Sequence, residues 1–243
     1  MNGFCAVFKR ELKGYFSTPV AYVFLVIFLF FAGYLPFRDG FFEMRQADLT
    51  LFFKALPLLF IFMVPAAAMR LWAEERKTGS IELLLTLPIT IPQAVLGKFF
   101  AAWAFLTIAQ LLTFPLPATV AYLGSPDPGL IAAGYLGAFL MAGGFLAIGS
   151  FFSALTKNQV ISFILSVAAC GILIYAGMPS TLEYLSASVS PALGKIMEAL
   201  SFQVRFDAIQ RGVIAARDLA YFLILIAAWI YASTLVLEER KAN

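Results

Sequence analysis

Six stretches of this chain are long, apolar and uncharged through their centres, and they leave little room for a fold that lives in water. They cover 20–37, 51–73, 99–122, 130–155, 160–178 and 219–237. A helical membrane crossing needs ~20 predominantly apolar residues, and each stretch is of that order. Of 243 residues 62% are hydrophobic and 13% charged, against roughly 45–50% and about 25% in soluble domains. A disordered chain cannot be so rich in Phe, Leu and Ile. The expected fold is a single-domain, all-α integral membrane protein with six transmembrane helices and both termini on one side.

What the sequence lacks excludes several chemistries. It contains no histidine, which removes His-ligated zinc and Ser-His-Asp or Cys-His catalysis. Cys5 and Cys170 form no CxxC pair and read as small apolar residues. A net charge of +3 is too slight for a nucleic-acid partner. No metal, cofactor or catalytic residue is expected. Between their interfacial ends the spans hold no Asp, Glu, Lys or Arg. Proton relays and ion pathways are marked by such residues, so any work done by this chain is expected to be powered from outside the bilayer. Gln110 is the lone large polar group in a span. It either bonds a neighbouring helix or touches a translocated head group. Span 130–155 is rich in small residues, among them Gly134, Gly137, Gly143, Gly144 and Gly149, which permit close helix approach within one chain or between two.

Residues 1–19 place Phe4, Phe8, Leu12, Tyr15 and Phe16 on one side of a helix and Lys9, Arg10 and Lys13 on the other, the pattern of an amphipathic helix in the interface plane. No secretory cleavage site follows. Six crossings put both termini on one side. That side would hold Lys9, Arg10, Lys13, Arg70, Arg76, Lys77, Lys98, Lys157, Arg240 and Lys241. The other would hold Arg38, Arg45 and Lys54, plus Lys195, Arg205, Arg211 and Arg217 in the long segment 179–218, where charge weighs less. The termini are therefore expected to be cytoplasmic. In the external segment, Ser190-Pro191 reads as a helix start, and Asp207 and Arg211 as an i,i+4 ion pair.

The segment 74–92 between spans two and three is the most distinctive. Gly79 and Ser80 can end one helix and begin another. Ser80 to Leu87 reads as a short helix with Glu82 in its first turn, where the dipole favours an acid, and Pro88 stops it. Ile81, Leu84 and Leu85 form one apolar stripe and Leu83 and Leu87 a second. Two apolar faces suit lipid on one side and a protein groove on the other. An interfacial helix that only lies on the membrane is the alternative.

The string Glu74-Glu75-Arg76-Lys77-Thr78-Gly79-Ser80-Ile81-Glu82-Leu83-Leu84-Leu85-Thr86-Leu87-Pro88 resembles the cytoplasmic coupling segment of ABC-2-type permeases. Leu96-Gly97-Lys98-Phe99, the connector Phe152 to Gln159, the run from Phe206 to Leu219, and Phe8-Lys9-Arg10-Glu11-Leu12 with Ser17-Thr18-Pro19 are similar to such permeases too. The N- and C-terminal stretches resemble the gliding-motility-associated (GldF-like) branch. The resemblance implies the membrane subunit of an ATP-binding-cassette exporter in the bacterial cytoplasmic membrane. This chain would pair with a second permease subunit, contact membrane lipid and dock on cytoplasmic ATPase subunits. The chain carries no GxxxxGK[ST] and so cannot cradle phosphates; ATP and Mg would be bound by the partner. The coupling contact would then use Glu74, Glu75, Arg76, Thr78, Gly79 and Glu82 as its polar part and Leu83, Leu84, Leu87 and Pro88 as its apolar part. Lys9, Arg10 and Lys13 would make a second cytoplasmic contact or bind anionic lipid. Segment 179–218 would seal the exit or receive an extracytoplasmic accessory protein.

Two other classes remain as alternatives. An ATP-independent channel or secondary transporter is disfavoured by the uncharged interior. Glu74-Glu75-Arg76 is faintly similar to the EExxxR signature of intramembrane proteases, but Gly79 stands where that arginine belongs and the required histidines are absent.

Overall fold

The computed structural model describes residues 3–41, 43, 47–80, 89–188 and 190–242, and among these it contains helices and no strand. The helices are α1 (Gly3–Ser17), α2 (Pro19–Arg38), α3 (Thr50–Ala68), α4 (Arg70–Thr78), α5 (Ile91–Leu111), α6 (Pro115–Leu123), α7 (Pro128–Leu155), α8 (Gln159–Tyr175), α9 (Pro179–Ser188), α10 (Pro191–Leu200), α11 (Phe202–Gln210) and α12 (Ala216–Ala242). Among the described residues, five apolar stretches are long enough to cross a membrane: Pro19–Arg38, Thr50–Thr78, Ile91–Leu123, Pro128–Leu155 and Ala216–Glu239. A sixth apolar helix, Gln159–Tyr175, is 17 residues long.

Prolines and caps set most boundaries. Proline stands at the first or second position of α2, α5, α6, α7 and α10, where its missing N–H is no loss. Asp127 caps α7 by accepting from Gly129 N at 2.7 Å, and Ser190 caps α10 by accepting from Ala192 N, as Ser190-Pro191 predicts. Span three begins well before Phe99, because Thr90 and Gln93 form a reciprocal capping box that starts α5 at Ile91. It is interrupted at 112–114 before Pro115 restarts it. Pro57 and Pro65 sit inside α3 without ending it; the break falls at Met69.

α7 is the axis of the molecule. It packs against α3, α4, α5, α8, α11 and α12. Of its apolar stretch 72% is buried, against 22% for α12 and 33% for α2. Its small residues are the reason. A Cβ on Gly134 would stand 2.5 Å from the Phe53 ring, and one on Gly143 would stand 2.7 Å from Trp103. At Gly149 it would collide with Ala68. The close approaches that the sequence left open between one chain and two are thus made within one chain. Gln110 likewise bonds a neighbouring helix, donating from Nε2 to Tyr135 O at 2.8 Å.

The outward faces of α2, α8 and α12 carry Val26, Phe30, Ile164 and Ile224, each more than half exposed. Apolar surface this extensive is incompatible with water and suits hydrocarbon. Segment 179–210 does more than cover one end. α11 enters the bundle, with Phe202 against Gly144 and Phe145 and with Phe206 and Ile209 against Gly137. The expected Asp207–Arg211 ion pair is not made. Asp207 Oδ1 accepts from Gln203 Nε2 and Gln210 Nε2, each at 3.0 Å. α11 ends at Gln210, and Arg211 is already turning out of the helix with φ −81° and ψ 7°. At this end Arg205 Nη1 of α11 lies 2.9 Å from Asp218 Oδ1 of α12, and Arg217 Nε reaches the same oxygen at 3.7 Å.

Candidate functional site

The predicted coupling segment falls partly outside the described residues: Glu82, Leu83, Leu84, Leu87 and Pro88 are among 81–88. Helices lie on either side of them. α4 is the short continuation of α3 beyond Met69, and it ends at Gly79, whose φ of 75° is a left-handed conformation suited to glycine. Lys77, Thr78 and Gly79 are exposed at this end. The chain resumes at Ile89 and starts α5 on the Thr90 cap.

A four-charge cluster ties α4 to α1 and α5. Lys98, on α5, is 3% exposed. Its Nζ lies 2.9 Å from Glu75 Oε1 and 3.2 Å from Glu11 Oε1. Arg10 Nη2 reaches the same two carboxylates, at 2.6 Å from Glu11 and 3.7 Å from Glu75. Two cations and two anions neutralise one another, which is how charge survives in a site poor in water. Lys98 Nζ also lies 5.3 Å from the centre of the Trp72 ring, an additional cation–π attraction. Burial pushes the Glu11 carboxyl up, but Lys98 and Arg10 outweigh it and hold it below the usual carboxylate range. α1 can lie close enough to α5 because Gly97 has no side chain: a Cβ there would stand 2.8 Å from Val7 Cγ1.

A second set of bonds ties α4 to the C-terminal end of α7. Arg76 is buried and donates from Nη1 to Ala154 O at 2.6 Å, placing a cation on the negative end of that helix. Trp72 Nε1 donates to Ser150 Oγ at 3.2 Å. Ser153 Oγ accepts from Trp72 N and Ala73 N, both at 3.0 Å, and donates to Met69 O at 2.9 Å. A hydroxyl therefore sits in the main-chain ladder where α3 gives way to α4, one of the physical causes of a helix break.

The residues expected at a coupling contact thus divide. Glu75 and Arg76 are engaged inside the protein. Glu74 is half-buried and pairs with Arg70, at 2.8 Å, along its own helix. Thr78 and Gly79 are exposed, as are Lys9 and Lys13 on α1, while Arg10 is exposed and leans on Glu11. Lys98, Glu11, Ser150 and Ser153 were not among the residues singled out for this site. Lys98 carried a signal: a cation followed at once by an uncharged apolar run needs acids from elsewhere. The serines carried none.

The arrangement has no nucleophile–base pair, and among the described residues no cluster of metal-ligating side chains. Its chemistry is mechanical: charge pairs and hydroxyls that lock three helices and the end of a fourth into one corner. No curated protein matches the chain closely enough to count as a relative. The family model for ABC-2 family transporter protein matches residues 5–241, nearly the whole length.

Proposed function

The chain belongs to the ABC-2 transporter family, and on that premise we propose that it is an export permease driven by a separate cytoplasmic ATPase that grips it at segment 78–90. Family membership supports a membrane permease subunit and implies an ATP-binding partner. The observation that carries the coupling reading is that both flanks of 81–88 belong to one locked corner. α4 is held by Lys98 and by Ala154 O, and α5 carries that same lysine. A force applied to the segment between them is delivered to α1, α4, α5 and the end of α7 together. In this reading Thr78, Glu82, Leu83, Leu84 and Leu87 meet the ATPase, with Lys9 and Lys13 beside them. Glu75 and Arg76 act from behind, transmitting the movement.

The remaining features follow from the same reading. α8 is the sixth crossing, so the termini share the cytoplasmic side of a bacterial inner membrane, where the balance of Lys and Arg favours them. Two permease subunits, identical or related, face each other across the exported molecule. The GldF-like branch is supported by the terminal stretches alone.

The test is to express the chain with its ATP-binding subunit and carry Leu84→Asp or Glu82→Lys. Loss of co-purification and of permease-stimulated hydrolysis, with the chain still inserted in the membrane, is the expected result. Retention of both removes segment 78–90 from this role. Uphill solute movement by vesicles holding this chain alone, without nucleotide, overturns the permease reading itself.

A further inference from the structure

At the end of the bundle opposite the locked corner, the starts of α3 and α7 and the end of α11 enclose a cavity of about 450 Å³, within the usual range for small-molecule sites. Its walls carry charge of both signs. Lys54 comes from α3 and Arg211 from the end of α11, and neither is in an ion pair among the described residues. Asp48, Asp127 and Asp207 line the same space, and none of them is ion-paired either. Each acid has one oxygen occupied by N–H donors, Asp48 on Thr50 N, Asp127 on Gly129 N and Asp207 on two glutamine amides. Phe53 and Leu130 supply apolar wall beside them.

Opposite charges that share a cavity yet do not meet leave room between them. A purely anionic ligand would answer Lys54 and Arg211 and face three carboxylates. A purely cationic one would do the reverse. Only a ligand bearing both signs answers both sets of charges, and Phe53 and Leu130 call for a hydrocarbon portion next to them. We propose that this cavity binds an amine-bearing phosphate headgroup, its phosphate between Lys54 and Arg211 and its ammonium towards Asp48 and Asp127. The ammonium needs N–H donors for two carboxylates, which a trimethylated amine lacks. The source is either a membrane aminophospholipid or a soluble phosphoethanolamine. The inference does not depend on the ATPase reading.

The purified full-length chain in detergent is titrated with short-chain phosphatidylethanolamine, phosphatidylglycerol and phosphatidylcholine, and separately with O-phosphoethanolamine and inorganic phosphate. Native mass spectrometry and thermal shift read the binding. Phosphatidylethanolamine should bind about tenfold more tightly than either other lipid, each tenfold step being about 1.4 kcal/mol. Lys54→Gln and Arg211→Gln should each weaken it about tenfold, and the exposed control Lys195→Gln should not. Asp127→Ser keeps a capping side chain and removes the charge, so it should erase the preference for ethanolamine over choline. If O-phosphoethanolamine binds as tightly as the lipid, the headgroup chemistry stands and its source is a free solute. Equal binding of all three lipids, unmoved by Lys54→Gln and Arg211→Gln, overturns the proposal, as does binding of inorganic phosphate as tight as that of phosphoethanolamine.

Discussion

The two ends of this bundle handle charge in opposite ways. Where α1, α4 and α5 meet, Arg10, Glu11, Glu75 and Lys98 close on one another as ion pairs. At the far end, Lys54, Arg211 and three aspartates line a cavity and stay apart. Closed charge stiffens, because each partner fixes the others and breaking one leaves a buried ion uncompensated. Open charge waits for something to complete it. The comparison teaches that an uncharged membrane interior does not make the whole protein electrostatically idle: the corner pairs its charges, while the far end, among the described residues, keeps five unpaired around a cavity beside the closed Arg205–Asp218 pair.

The sharpest way to break this contrast is Lys98→Met. With the cation gone, Glu11 and Glu75 are left with Arg10, and the locked corner should lose about 3 kcal/mol, read as a large drop in thermal stability in detergent. Adding Glu75→Leu should recover part of that loss, since the two side chains are in direct contact. If Lys54→Met at the open end costs as much, the division between ends fails. Next in size is Ser153→Ala, which leaves Trp72 N, Ala73 N and Met69 O without their hydroxyl and should cost about 2 kcal/mol. Ser186→Ala, on an exposed helix, should cost nothing measurable in the same assay. Smaller again is Gln110→Leu towards the open end. Hydrogen bonds between helices in lipid average about 0.6 kcal/mol, so a thermal shift near the limit of detection is expected.

The smallest effect is one of sign with pH. Glu11 titrates below the usual carboxylate range, so its contribution is complete above the ordinary pKa and fades as pH falls through the depressed folded value. Asp207 is the reverse: burial raises its pKa despite the glutamine amide and Arg211, so the cost of its buried charge is relieved as pH falls through the raised value. Acidification should therefore strengthen hydrogen-exchange protection in α11 and weaken it in α1, after correction for intrinsic exchange rates. The same direction of change in both helices would remove the electrostatic contrast.

Much of the architecture was legible because its signals are local. Apolar run length marks the long helices, and Pro128, Pro191 and Gly79 mark boundaries through backbone chemistry carried by single residues. The glycines of α7 announced close approach, though not what approaches. What stayed hidden depends on partners far along the chain. Ser153 reaches Trp72 N across 81 residues, and nothing around a serine in an apolar helix says which helix it will touch. The Asp207–Arg211 pairing failed for a related reason: i,i+4 spacing holds only while the helix lasts, and this one ends before Arg211 arrives. Of the coupling residues, Glu75 and Arg76 have the composition of a surface and the placement of a core, because helix periodicity cannot tell solvent from a neighbouring charged helix.

The serine at the α3–α4 break gives that junction a particular mechanical character. A bare bend in hydrocarbon would strand main-chain amides, and each such amide would resist further bending. Here one hydroxyl of α7 serves two amides and a carbonyl from the side, so the bend is filled rather than bare, and α3, α4 and the end of α7 are spliced at a single point. Load arriving at that splice is shared by three helices, because α4 cannot part from α7 without uncovering main-chain groups on both sides of Met69.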